Sequence, residues 1–260
     1  MAELVCRGVR FHVQLLGEGD VSRPAVVFLH GLVMDNLSSW YFTVAPAVAQ
    51  RSRVLLYDLR GHGLSERTSS GYSLADMVAD LLALLDTAGI SRALLVGNSF
   101  GGLLALAFAR AHPSRTAGLC LVDPHLGDEQ FGPQMAATLS LTGDERDRRI
   151  ASSFSRWLGR HSERKRNRLA QAARQLVERT SLVEDLRSTP ALAPAGLAAI
   201  TAPTLALFGE TSDLRALGEQ RLSPLPHARV EILPGCTHSV LWEATAEVRH
   251  RVVAFAAEVG

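Results

Sequence analysis

The stretch that decides the fold is residues 93–113, ALLVGNSFGGLLALAFARAHP. It predicts a short apolar strand over residues 93–96, a sharp turn through Gly97-Asn98-Ser99-Phe100-Gly101, and a buried helix that stops at Pro113. The turn fits the pattern G-x-S-x-G, in which a serine lies in a tight strand-to-helix turn with its hydroxyl exposed. Ser99 is therefore the candidate nucleophile. Taken alone, the motif leaves open that Ser99 only caps the helix.

Short apolar runs alternate with helical patterns on both sides of this stretch. The runs lack a polar face, which is typical of strands covered on both sides in a parallel sheet. Residues 72–87 place apolar side chains at helical spacing, and this pattern ends at Gly89. Residues 5–16 predict one or two antiparallel strands. The pattern as a whole predicts an α/β fold with a doubly wound, mostly parallel sheet. The apolar runs lie at residues 25–29, 54–57, 93–96, 118–122, 204–208 and 230–233.

Composition excludes several classes of protein. The 260 residues are 47% hydrophobic and 20% charged, with a formal net charge of +1, so no overall charge favours nucleic acid or an anionic membrane as a partner. Three widely spaced cysteines predict neither a disulfide framework nor a metal site. The single lysine, Lys165, lies in a charged run that fits neither a phosphate-binding loop nor a Schiff base. We therefore expect no cofactor and no metal.

The elbow in this strand-and-helix context resembles that of the α/β-hydrolase fold family. The sequence DLRGHGLS at residues 58–65 also resembles a loop of that family, and we interpret it as structural. The resemblance implies that His30-Gly31 opens a loop whose backbone N–H groups hold an oxyanion. The two donors would be Leu32, with Val33 next in line, and Phe100. The side chain of His30 is expected to order this loop.

The family also has a general base and an acid that follow the nucleophile in the chain. By resemblance, the base is His238 and the acid is Asp213, each placed shortly after a strand, in the order Ser99, Asp213, His238. Asp123 is the alternative acid, because it also ends a predicted strand and some family members take the acid from that position. The ending from His238 to Glu243 resembles the family pattern H-x-x-x-x-E.

Residues 125–200 differ from the rest of the chain, since they lack strand patterns and are rich in charged residues. The family inserts a helical cap here, after the sixth strand. We therefore predict a core domain of residues 1–124 and 201–260 with a cap of residues 125–200. Helical patterns are expected at 131–141, 144–158, 162–180 and 182–187. Apolar cap residues that face either the pocket or the core are Phe131, Met135, Phe154 and Trp157.

Together, these features predict a cofactor-independent serine hydrolase that cleaves an ester, thioester or related acyl bond of a small, partly apolar substrate. Haloalkane dehalogenases and epoxide hydrolases of this family carry Asp at the elbow, so Ser99 argues against both. The elbow is also similar to that of carbon–carbon bond hydrolases. A non-hydrolytic cyclase or isomerase, or a small-molecule binding protein, is the alternative from another class.

Partners and location can also be anticipated. Arg164 and Arg168 share a helix face with Arg160, which is either a solvated surface or a contact for an anionic acyl carrier such as coenzyme A or an acidic carrier protein. No nucleic acid or membrane partner is expected. The first twenty residues contain no continuous apolar run and carry Glu3, Arg7 and Arg10, which predicts neither a signal peptide nor a spanning segment, and hence a cytoplasmic protein.

Overall fold

A computed structural model describes residues 2–20, 22–143, 145 and 163–260. In this part of the chain, one sheet of eight strands has the order β1-β2-β4-β3-β5-β6-β7-β8. The first two strands run antiparallel and the other six are parallel, which confirms the predicted fold class. The strands are β1 (Ala2–Cys6), β2 (Val9–Leu16), β3 (Ala25–Leu29), β4 (Val54–Tyr57), β5 (Ala93–Asn98), β6 (Thr116–Val122), β7 (Thr204–Gly209) and β8 (Ala228–Leu233).

Helices cover both faces of this sheet. Those that precede β6 are α1 (Ser38–Tyr41), α2 (Ala45–Val48), α3 (Leu74–Thr87) and α4 (Phe100–Ala111). Those described between β6 and β7 are α5 (Phe131–Ser140), α6 (Glu163–Arg179), α7 (Leu182–Arg187) and α8 (Pro194–Ala198). The last are α9 (Arg215–Leu222), α10 (Val240–Glu243) and α11 (Thr245–Val259). No helix in the described part of the chain is both long enough and apolar enough to span a membrane.

The antiparallel start of the sheet has a local cause. Arg7 and Gly8 both have positive φ angles, of 52° and 75°, and a two-residue turn of this kind matches the twist of a hairpin. The turn between β1 and β2 therefore lies at residues 7–8, and β2 then pairs with β4.

Helix α4 is the element around which the core forms. Its first ten residues are all buried, because it crosses the sheet face beneath α3 and next to β5 and β6. Side chains on this face of the sheet form one apolar cluster, which includes Leu104 and Phe108. A second apolar cluster covers the opposite face and includes Trp40 and Phe255. The predicted buried helix after the elbow is thus confirmed, and it fixes the position of Ser99 at the end of β5.

The helices between β6 and β7 lie at the end of the sheet where β5 meets α4. Phe131 is buried and Met135 is half-buried, and both pack on the larger apolar cluster. The predicted helix at 144–158, with Phe154 and Trp157, lies outside the described residues. Predicted helices at 162–180 and 182–187 correspond to α6 and α7. The division into a core domain and a cap domain stays a prediction.

Candidate active site

Ser99 lies in a strained turn between β5 and α4. Its φ of 52° and ψ of −119° fall outside the regions that L-residues favour, and such strain is concentrated at functional sites. Two glycines permit the turn. A β-carbon on Gly97 would collide with the carbonyl oxygen of Gly101, and one on Gly101 would collide with that of Leu29. The serine N–H donates to Val122 O at 3.0 Å, which ties the turn to the end of β6.

A continuous chain of hydrogen bonds runs from Ser99 to a buried carboxylate. The hydroxyl of Ser99 lies 3.1 Å from Nε2 of His238, and Nδ1 of His238 lies 2.6 Å from Oδ2 of Asp123. Because a carboxylate only accepts, Nδ1–H is the donor to Asp123, and Nε2 is then free to accept the serine proton. His238 is 27% exposed, so it reaches the pocket, whereas Asp123 is 1% exposed.

Asp123 is held by donors from the end of β7, from the loop after β7 and from His238. Its backbone φ is 46°, in the left-handed region that Asp tolerates better than most residues, and its N–H donates to Leu207 O at 2.7 Å. The N–H of Gly209 lies 3.3 Å from Oδ1, and the hydroxyl of Ser212 lies 2.6 Å from Oδ2. Together with His238, these groups give the buried carboxylate three donors, which is what a charge removed from water requires.

The structure brings Asp123, the alternative acid, to His238, and it does not bring Asp213 there. Which of the two acts as the acid stays a prediction. The loop after β7 does approach the carboxylate, but its contact comes from Ser212, whereas Asp213 is exposed and lines the pocket. Asp213 stands one residue beyond Ser212, the position that contacts Asp123, and consecutive side chains in a loop leave the backbone in different directions. Asp123 comes directly after the last residue of β6, so the strand itself aims its side chain.

The loop after β3 is strained next to Ser99. Val33 has a φ of 69°, which is unusual for a β-branched residue, and the N–H of Met34 donates to Leu32 O across it at 2.9 Å. His62 holds this conformation by accepting the Val33 N–H on Nε2 at 2.9 Å while Nδ1 donates to Arg60 O. Burial lowers the pKa of His62 to about 3, with the neighbouring His30 as a second cause, so His62 stays a neutral acceptor.

The two expected oxyanion donors remain available. Neither Leu32 N–H nor Phe100 N–H donates a hydrogen bond to an acceptor in the described residues, whereas the Val33 N–H is occupied by His62. His30 is fully buried and satisfied on both ring nitrogens, since Nδ1 donates to Gly31 O at 2.7 Å and Nε2 accepts the Leu59 N–H at 2.9 Å. Its side chain therefore orders the loop, as expected. The role of Leu32 and Phe100 as donors stays a prediction.

The loop DLRGHGLS ties the site to the rest of the sheet. Asp58 accepts from Nδ1 of His12 and from the N–H groups of Leu37 and Leu64, each at 2.8 Å. Arg60 forms a buried, two-point ion pair with Asp80 of α3, at 2.9 and 2.7 Å. These contacts support the structural interpretation of the loop.

Glu243 fixes the segment that carries His238. Its carboxylate accepts the Thr237 N–H at 2.6 Å and the Thr237 hydroxyl at 3.0 Å. Thr237 directly precedes His238, so this pair, together with Asp123, limits the rotation of the imidazole. The Glu of the H-x-x-x-x-E pattern is thus Glu243, and its contact with Thr237 positions His238.

His125 is a pocket residue that no sequence motif indicated. It lies two residues after Asp123, and its ring is centred 5.7 Å from that of His238 and 4.8 Å from that of Phe131. Burial, with the proximity of His238 as a second cause, lowers the pKa of His125 to about 3. A neutral imidazole therefore lies beside the histidine that contacts Ser99.

The pocket at Ser99 has a volume of about 540 Å³. One side of α5 forms a wall, with Phe131, Met135 and Leu139 among the residues that line it. Leu32, Ser99 and His238 line the same space, which is of a size suited to a small, partly apolar molecule.

Arg164 and Arg168 are exposed on α6, and Arg160 lies outside the described residues.

Comparison with known proteins places this geometry in a family. A model of the α/β-hydrolase fold family matches residues 24–208, well over half of the chain. The chain therefore belongs to the α/β-hydrolase fold family.

Individual relatives differ in activity. The chain is 35% identical to epoxide hydrolase B of Mycobacterium tuberculosis over 118 residues, which are 45% of this chain and 33% of that protein. It thus matches about a third of the length of that relative. It is 28% identical to a "Putative 2-succinyl-6-hydroxy-2,4-cyclohexadiene-1-carboxylate synthase" of Bacillus subtilis, with 91% of this chain and 90% of that protein covered. Among solved structures, the enol-lactonase of Burkholderia xenovorans superposes with a TM-score of 0.77 at 25% identity, covering 98% and 100% of the two chains.

Proposed function

We propose that this protein is a cofactor-independent serine hydrolase that cleaves an ester, thioester or related acyl bond of a small, partly apolar substrate. The observation that carries the proposal is the hydrogen-bonded series Ser99, His238 and Asp123 at the wall of a pocket. A serine hydroxyl is a weak nucleophile until a base takes its proton, and this series supplies the base and the group that orients it.

The first half of the reaction follows from these contacts. Ser99 Oγ attacks the acyl carbon while His238 Nε2 accepts the hydroxyl proton, and Asp123 stabilises the imidazolium that results. The N–H groups of Leu32 and Phe100 stabilise the developing oxyanion, with a contribution of about 3 to 4 kcal/mol for a single donor of this kind. Collapse of the tetrahedral intermediate releases the alcohol or thiol, which takes the proton from His238, and leaves an acyl group on Ser99.

Water completes the cycle by hydrolysing the acyl-serine, again with His238 as the base. His238 Nε2 accepts a proton from water as its oxygen attacks the acyl-serine, and then returns a proton to Ser99 Oγ as the acid departs. Neither half needs an electron acceptor or a metal. The similarity to an enol-lactonase supports this choice of bond, because a lactone is a cyclic ester.

The serine at the elbow also favours the reaction of some relatives over that of others. The epoxide hydrolase similarity covers 45% of this chain, but a serine ester intermediate requires an acyl carbon, which an epoxide lacks. We therefore assign acyl transfer to water, and not epoxide opening, to this chain.

The test uses Ser99→Ala. The wild type should turn over para-nitrophenyl pentanoate and should be labelled by a fluorophosphonate at Ser99, because the probe reacts with a serine activated by a histidine. Ser99→Ala should lose roughly four to six orders of magnitude in kcat and all labelling, with an unchanged thermal midpoint. Near-normal turnover by Ser99→Ala would refute the proposal. Binding of small esters without any turnover by the wild type would favour a binding protein or a non-hydrolytic catalyst.

A further inference from the structure

The pocket at Ser99 contains an unbalanced set of charges. Among its described lining residues are three carboxylates, Asp35, Asp128 and Asp213, and no lysine or arginine. The histidine beside His238, His125, offers no compensating charge, because burial keeps it neutral. A substrate that enters this pocket therefore meets negative charge on the described walls.

Of these three carboxylates, Asp35 has hydrogen bonds to residues that adjoin Ser99. Its Oδ2 lies 2.9 Å from the Gly31 nitrogen and 3.4 Å from Nδ2 of Asn98, the residue that precedes Ser99. The point where a β-carbon on Gly31 would stand lies 3.3 Å from Asp35 Oδ2 and 3.6 Å from Cβ of Ser99. The carboxylate and the nucleophile thus face the same small region of the loop after β3.

The position of Asp35 is fixed by the loop that carries it. Its Oδ1 accepts the Asn36 N–H at 2.9 Å, so both oxygens are held by N–H donors from the chain. A side chain anchored at both oxygens does not swing away when a charged group approaches. Because all three donors are N–H groups, they match a carboxylate, which only accepts.

From this arrangement we propose that the pocket selects uncharged or positively charged acyl substrates and discriminates against acyl groups that carry a carboxylate or phosphate, with Asp35 as the residue that determines specificity. The inference rests on the proposed function and narrows its substrate class. Two like charges roughly 8 Å apart at an effective dielectric constant of about 20 disfavour one another by a factor of roughly thirty. Screening by solvent in a partly open pocket reduces this to roughly tenfold.

Three para-nitrophenyl esters of similar size test the preference. They are the pentanoate, which is neutral, the hemiglutarate, which is anionic, and the ester of γ-trimethylammoniobutyrate, which is cationic. Each kcat/KM is divided by the rate at which hydroxide hydrolyses the same ester, which removes differences in intrinsic reactivity. We expect the wild type to disfavour the hemiglutarate by roughly tenfold or more relative to the other two, and the gap to shrink as salt is added.

The variant Asp35→Asn keeps the shape of the side chain and removes its charge. It should raise the relative kcat/KM of the anionic ester over the neutral one by roughly tenfold. The ratio is the readout, because a general loss from a disturbed loop affects both esters alike. Asp86→Asn, at an exposed carboxylate in the last turn of α3, changes the net charge equally and should leave the ratio unchanged.

Two results overturn the proposal. One is a wild type that hydrolyses neutral and anionic esters with equal corrected efficiency, and the other is an Asp35→Asn variant with the wild-type ratio. Phenylboronic acid and meta-carboxyphenylboronic acid, which bind a nucleophilic serine without turnover, give the same comparison as inhibition constants of fluorophosphonate labelling. If no ester is hydrolysed, the proposed function fails, while the two boronate constants still decide the charge preference.

Discussion

The loops after the parallel strands β6 and β7 each carry an aspartate, yet the two side chains have opposite environments. Asp123 after β6 is 1% exposed and receives hydrogen bonds from His238, Ser212 and Gly209. Asp213 after β7 is exposed, and the loop that carries it approaches the site through Ser212. The two aspartates therefore make different contacts, because only Asp123 is hydrogen-bonded to the imidazole of His238.

The two aspartates differ in how directly the sheet fixes their backbone. Asp123 directly follows Val122, so the hydrogen bonds of the sheet extend to its own N–H and fix its direction. Asp213 is separated from Gly209 by a turn, and the direction of its side chain depends on how that turn folds. A carboxylate at the first position costs less entropy to order, since the backbone is already fixed.

Exchange of each carboxylate for its amide gives the largest expected difference between the two loops. Asp123→Asn should lower kcat for para-nitrophenyl pentanoate by roughly four orders of magnitude, because an amide stabilises neither the needed tautomer nor the imidazolium. Asp213→Asn should stay within about threefold of the wild type. The measurement is steady-state turnover beside a thermal melt of each variant. A larger loss in Asp213→Asn, with both variants folded, would reverse the assignment of the acid.

The second prediction moves the acid from one loop to the other. Asp123→Gly tolerates the left-handed backbone at this position and removes the carboxylate, while Ser212→Asp places a new one where a hydroxyl now lies 2.6 Å from Asp123 Oδ2. The double variant should recover roughly tenfold to a hundredfold in kcat over Asp123→Gly alone, by restoring a charged partner for His238.

The control for this exchange is Ser212→Asn in the same Asp123→Gly background, which adds similar volume without charge. Equal rates for the Asp and Asn double variants would show that the loop after β7 cannot present a carboxylate to His238, and would restrict the acid to the end of β6.

The third prediction concerns His125, which lies in the loop after β6. Since burial lowers the pKa of His125 from 6.5 to about 3, the unfolded chain takes up a proton at a pH where the folded chain does not. The contribution to stability is therefore complete above about pH 6.5 and is lost as the pH falls toward 3. One such group adds about 1.4 kcal/mol per pH unit to the slope of the unfolding free energy.

Urea unfolding of the wild type and of His125→Gln at several pH values between 6 and 4 measures that slope. We expect the variant to be less sensitive to acid by about 1.4 kcal/mol per pH unit. His227→Gln, at an exposed histidine in the turn between α9 and β8, is the matched control and should keep the wild-type slope. An unchanged slope in His125→Gln would mean that the loop after β6 is open to solvent, like the loop after β7.

The sequence alone was sufficient for features that depend on neighbouring residues. Apolar runs without a polar face determine a covered parallel sheet, and the glycines around Ser99 determine a turn that other residues would block. Helices with a regular apolar face, such as α3 and α6, were found for the same reason. The candidate nucleophile could thus be predicted from residue type and spacing, and the candidate base and the loop after β3 from these together with the family resemblance.

Only the tertiary structure decided which side chains meet. The contacts at the site join residues from different strand ends, and His238 and Asp123 are 115 positions apart in the chain. His238 meets Asp123 and not Asp213, Ser212 also meets Asp123, and Asp35 approaches Ser99. These contacts depend on the backbone angles of single loop residues, such as the φ of 46° at Asp123. Sequence patterns report the average direction of a face, whereas one loop residue can turn a side chain toward the site or toward solvent.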